Sequence, residues 1–173
     1  MTVKQPATRI VCFGDSLVEG ADDTGKQNGF MGRMMQALPA NQGLYAPGTI
    51  MFNLGISGDT VRDLWLRFGE VVVRKPDILL LGTCANDVRV YGASTTPSGT
   101  DEYKISPKIS QDTWRDLLAL AKKICTRVLV VGPCDHDRDG VWSAQAVYGA
   151  KEHLAFMQKL CQQLDVEFFD QAA

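Results

Sequence analysis

Short continuous apolar runs alternate along the chain with segments whose apolar residues recur every three or four positions. The runs cover 9–13, 49–54, 77–81, 127–131 and 166–169 and are rich in Val, Ile, Leu and Phe. That is how strands buried on both faces read, and such strands belong to parallel sheets. The segments between them carry one apolar stripe each. Phe30, Met31, Met34, Met35 and Leu38 form the first, and Val61, Leu64, Trp65, Phe68, Val71 and Val72 the second. Trp114, Leu117, Leu118, Ala121, Ile124 and Cys125 form the third, and Val147, Ala150, Leu154, Met157, Leu160, Cys161 and Leu164 the fourth. This is the spacing of helices with one buried face. Thr60 with Asp63 reads as a capping box, Asp112 and Ser143 as N-caps, and Pro76 and Pro133 fall between elements. The order β-α-β-α-β-α-β-α-β predicts an α/β fold, a three-layer α/β/α sandwich built by right-handed crossovers. Segment 88–111 interrupts the rhythm. It is rich in Ser, Thr, Pro and Gly and reads as a long loop shaping a substrate site.

Composition narrows the class. The 173 residues make one domain, 1–173, with a real core. The net charge of −2, without a basic block, gives no footprint for nucleic acid. No apolar segment has the length of a membrane span, and the first six residues lack the apolar stretch of a signal peptide. Five cysteines (Cys12, Cys84, Cys125, Cys134 and Cys161) form no Cys-x-x-Cys pair. They read as small buried hydrophobes in a reducing compartment, so the expected location is cytoplasmic. The two histidines are not spaced with a cysteine as a metal-ligand pair, and no metal is expected.

The candidate chemistry lies at three strand ends. Gly14-Asp15-Ser16-Leu17 follows the first strand, Asn53-Leu54-Gly55-Ile56-Ser57-Gly58-Asp59-Thr60 ends the second, and Cys84-Ala85-Asn86-Asp87 follows the third. In an open parallel sheet, ligands collect outside the carboxyl ends of the strands. A serine, a glycine turn exposing backbone N–H groups, and an asparagine amide are what acyl transfer needs: a nucleophile, and donors aimed at a developing oxyanion. The same residues have plainer readings. Ser16 sits where helix N-caps occur, Gly55 and Gly58 suit a tight turn, and Asn86 suits a loop. Asp15 reads as fixing the turn, and Asp59 and Thr60 as caps.

Together these blocks resemble the GDSL esterases and lipases, the SGNH hydrolases. Gly14-Asp15-Ser16-Leu17 matches the first block, Asn53-x-Gly55-x-x-Gly58-Asp59-Thr60 the second, and Asn86-Asp87 part of the third. The resemblance implies Ser16 as nucleophile. It implies an oxyanion hole from the Ser16 N–H, the Gly55 N–H and the Asn86 amide. It further implies a flavodoxin-like sheet in order 2-1-3-4-5, small-molecule acyl ester substrates, and no cofactor. Cys84 departs from the pattern by standing where the family has glycine. The family's last block, Asp-x-x-His, has no match here. The expectation is that the domain lacks its C-terminal helix and the segment carrying the base. His136, in Cys134-Asp135-His136-Asp137 after the fourth strand, is the one substitute at the same sheet edge; His153 lies within the fourth helical pattern, flanking its apolar stripe, and reads as a surface or partly buried packing residue. A serine without a base is a weak nucleophile. The second reading is therefore an impaired, SGNH-like binding module for a small acyl or sugar ligand. Oligomeric state is not legible.

Overall fold

The computed structural model describes residues 7–21, 29–38, 48–82, 85–88, 90–91, 102–132 and 144–170. Through these the chain runs β1 (Thr8–Gly14), α1 (Ser16–Glu19), α2 (Gly29–Ala37), β2 (Thr49–Gly55), α3 (Val61–Arg67), α4 (Gly69–Arg74), β3 (Ile78–Gly82), one tight helical turn (Ala85–Val88), β4 (Val90–Tyr91), β5 (Glu102–Tyr103), α5 (Pro107–Ile124), β6 (Arg127–Val131), α6 (Ala144–Leu164) and β7 (Glu167–Phe169). The main sheet has the order β2-β1-β3-β6-β7, all parallel. Counted within this sheet alone, that is the expected 2-1-3-4-5. β4 and β5 form a separate antiparallel pair.

The interior strands β1, β3 and β6 bury both of their faces. In β1, Val11 and Phe13 belong to one core cluster, and Ile10 and Cys12 to the other. The larger cluster lies under α3, α4, α5 and α6, the smaller under α1 and α2. Handedness explains this division. The chain steps one way across the sheet from β1 to β2 and the other way at each later crossover, so right-handed connections put the later helices on the opposite face.

Several details depart from the sequence expectation. The stripe from Val61 to Val72 is not one helix. The Phe68 N–H bonds to the Trp65 carbonyl, an i→i+3 contact that tightens the turn and separates α3 from α4. Phe68 and Val71 stay buried, whereas Trp65 and Val72 are exposed, as is Met35 of α2. The third helix starts earlier than expected. Ser106 caps it, accepting from the Ile109 N–H at 3.3 Å, and Pro107 opens its first turn. Asp112 is therefore no cap; it lies inside α5, paired with Lys108 and Arg115. The early start takes five residues from the expected loop, and the β4–β5 pair takes more. The Ser143 cap and Pro133 lie outside the described residues. The capping box forms as expected, with the Thr60 N–H donating to Asp63 Oδ2 at 2.9 Å. Cys12, Cys125 and Cys161 are buried free thiols; Cys84 and Cys134 lie outside the described residues. Among the described residues no helix is long and apolar enough to cross a membrane.

Candidate active site

α1 is held on the carboxyl edge of the sheet by close backbone approach. A Cβ on Gly55 would lie 2.1 Å from the Glu19 nitrogen, so only glycine fits there. The two strand ends are in register, Gly14 opposite Gly55, and the Ile56 N–H donates to the Gly14 carbonyl at 3.1 Å. Asn53 ties β2 to the helix, with Nδ2 donating to the Val18 carbonyl at 2.9 Å. Val18 itself is fully buried. Ser16 thus occupies the first position of α1, half-buried, at the end of the interior strand β1. Its N–H belongs to the first helical turn, where backbone donors have no partner inside the helix. The N-cap is Asp15, not Ser16: Asp15 Oδ1 accepts from the Leu17 N–H at 3.1 Å. This leaves the serine hydroxyl out of the capping role.

The other two expected residues lie on the same edge. Asn86 is buried in the turn after β3, and its Nδ2 donates to the Asp59 carbonyl at 2.9 Å. A longer contact of 3.4 Å joins it to Asp15 Oδ2, one residue from Ser16. The Gly55 N–H donates to Asn53 Oδ1 at 2.9 Å, a bond within the strand end that the glycine motif alone does not reveal. Asp59, expected as a cap, instead pairs with Arg67, whose guanidinium also donates to the Leu54 carbonyl and lies over the Phe13 ring. Burial raises the Asp59 pKa in spite of this arginine. The Gly58 turn, at φ 87°, is held by Lys104 Nζ, which donates to the Gly58 carbonyl. Glu19 accepts from the Ser57 N–H at 2.7 Å and so joins α1 to the same turn.

Asp87 is the residue that sequence reasoning missed. It is 1% exposed and accepts three hydrogen bonds, each 2.8 Å long. The Val61 N–H donates to Oδ1; the Ser110 hydroxyl and the Trp114 indole donate to Oδ2. Burial pushes its pKa up to about 6, against the pull of these donors and with a further push from Asp15. The available signal was Ser110 and Trp114, one turn apart on α5: a polar and an amphipathic residue on a buried face, needing a common acceptor. His153, expected as surface or partial packing, is buried beside Trp114, with ring centroids 6.4 Å apart. Among the described residues its Nε2 finds no hydrogen-bond partner, and burial brings its pKa down to about 4. His153 and Asp87 both line a cavity of about 30 Å³, room for one water molecule. His136 and Cys84 lie outside the described residues. Among the described residues no group of three or more His, Cys, Asp or Glu is arranged to hold a metal ion.

Residues 12–173 match the sequence profile of the GDSL-like lipase/acylhydrolase family. The protein belongs to that family. Solved structures with the same fold as this GDSL-like protein include Axe2, an acetylxylan esterase from Geobacillus stearothermophilus. It is 19% identical with a TM-score of 0.66, and the match covers 93% of this chain and 74% of that one. A catalytic mutant of the same esterase gives 20% identity, a TM-score of 0.68, and coverage of 96% and 77%. LAE5, an alpha/beta hydrolase enzyme from the metagenome of Lake Arreo, Spain, gives 19%, 0.66, 93% and 75%. No curated protein sequence matches the chain.

Proposed function

We propose that the protein hydrolyses carboxylic esters through an acyl-enzyme on Ser16. The carrying observation is the placement of Ser16 at the head of α1, free of the capping role, with Gly55 against that helix and the Asn86 amide 3.4 Å from the Asp15 carboxylate beside it. The Ser16 oxygen attacks the ester carbonyl carbon and loses its proton to a base. The tetrahedral oxyanion takes N–H bonds from Ser16, Gly55 and Asn86. The C–O bond to the alcohol breaks, the alcohol leaves with the proton, and water then releases the acid from Ser16. For Gly55 this means sharing its N–H between Asn53 Oδ1 and the oxyanion.

The general base is the part outside this constellation. We propose that it is supplied from beyond residues 1–173, in an Asp-x-x-His segment. The catalytic mutants of Axe2 replace a serine, an aspartate and a histidine, the last two three positions apart. This chain spans about three quarters of that esterase. His136 is the alternative base. The acyl group is small, on a sugar or a small alcohol, in keeping with the acetylated substrates in the names of the structural neighbours. The buried free thiols Cys12, Cys125 and Cys161 favour a cytoplasmic location.

The test is turnover of p-nitrophenyl acetate by the protein from its intact reading frame. Ser16→Ala is expected to lower kcat by at least about 10³-fold, as loss of an activated serine does. Undiminished turnover in that variant overturns the reading. Ligand binding with no labelling of Ser16 by an organophosphorus probe would instead support an impaired binding module.

A further inference from the structure

We propose that Asp87 is the positioning residue of the oxyanion site: its carboxylate locks the turn carrying Asn86 to the start of α3 and to the buried face of α5. This rests on the ester-hydrolase reading for its catalytic consequence, though not for its geometry. Among the described residues the Asn86 amide has one firm bond, to the Asp59 carbonyl at 2.9 Å, since the contact to Asp15 is 3.4 Å long. The orientation of the turn therefore comes from its neighbour. Asp87 receives one donor from the backbone of α3 and two from side chains of α5. The backbone donor, Val61, immediately follows the turn that ends β2 and supplies the Asp59 carbonyl. One carboxylate thus couples the second and third strand ends, the two places from which Gly55 and Asn86 reach the edge.

The chemistry calls for a carboxylate and not an amide. The Val61 N–H and the Trp114 indole N–H are fixed donors, and they address different oxygens of Asp87. An asparagine presents one oxygen and one NH₂ group. In either orientation its NH₂ meets one fixed donor, leaving a buried N–H unpaired. A full acceptor on both sides is what holds the turn.

The experiment compares wild type with Asp87→Asn, Trp114→Phe and Ser110→Ala. The first readout is hydrogen exchange of the Asn86 side-chain amide by NMR, which requires no catalysis. Exchange is expected to speed up at least about tenfold in Asp87→Asn and by less in the two single-donor variants, because the turn opens locally more often. The second is turnover of p-nitrophenyl acetate per mole of Ser16 labelled by an organophosphorus probe. Here kcat is expected to fall roughly tenfold or more with KM within about twofold, a share of the 10²–10³ that a whole oxyanion donor is worth. A merely structural role lowers the amount of folded, labelled enzyme and leaves kcat per labelled site unchanged; that result overturns the proposal. So does unchanged Asn86 exchange in folded Asp87→Asn. If that variant fails to fold, unchanged exchange in both Trp114→Phe and Ser110→Ala overturns it equally. Faster exchange in a protein that turns over no ester upholds the positioning role and refutes the proposed reaction instead.

Discussion

Asp87 and His153 line one cavity, and burial moves their pKa values in opposite directions. Asp87 rises from 3.8 to about 6, so the folded state holds its proton more tightly than the unfolded chain does. Its contribution to stability is full below about pH 4 and is lost as pH rises through 6, by about 3 kcal/mol. His153 falls from 6.5 to about 4, so its contribution is full above pH 6.5 and is lost as pH falls through 4, again by about 3 kcal/mol. The two nearly cancel across this window. Urea denaturation at a series of pH values between 4 and 7 checks this. Relative to wild type, His153→Leu is expected to gain stability as pH falls from 6 to 4, and Asp87→Asn to lose it. A parallel pH dependence in all three proteins would refute the opposed titrations.

At the scale of elements, α1 is four residues long and too short to stand by itself. Its position is imposed by the strand ends beneath it. Gly14 and Gly55 let it approach: a Cβ on Gly14 would lie 2.5 Å from Val18 Cγ2, and one on Gly55 would meet the helix backbone. The first clash falls on a side-chain methyl and the second on fixed backbone. Gly55→Ala is therefore expected to cost about 1–3 kcal/mol, the size of an overpacked core, and to cut the labelling rate of Ser16. Thermal unfolding and organophosphorus labelling measure the two effects. Gly14→Ala is expected to cost less. A Gly55→Ala protein as stable as wild type would show that α1 is free to move away. The longer helices obey their sequence signals better. Trp114, Leu117, Leu118 and Ala121 of α5 are all fully buried, on the face that the three-four spacing marks.

Across the whole molecule the two faces of the sheet are unequally covered, because three of the four crossovers step the same way. Leu118, in the larger cluster, is fully buried, whereas Leu66 on α3 is 77% exposed. Leu118→Ala is expected to lower stability by about 2–5 kcal/mol and Leu66→Ala by no more than about 0.5, both read by chemical denaturation. Near-equal losses would mean that the exposed leucine is covered by something in solution. The sequence by itself determined the strands of the main sheet, the parallel α/β class and the position of Ser16. Apolar runs and three-four stripes report burial directly, and the glycine motifs report close approach. The capping box at Thr60 was legible for the same reason: its partners are three residues apart. The break at Phe68 and the start of α5 at Pro107 were not, because a local tightening and a distant cap both leave the apolar stripe intact. Only the tertiary structure decided that Asp15 and not Ser16 caps α1, that the Gly55 N–H donates to Asn53, and that Asp87 joins three elements. Those bonds connect residues far apart in the chain or depend on which way a nearby polar side chain turns. A pattern of hydrophobicity tells which side of an element is buried. It does not tell which acceptor a buried donor will find.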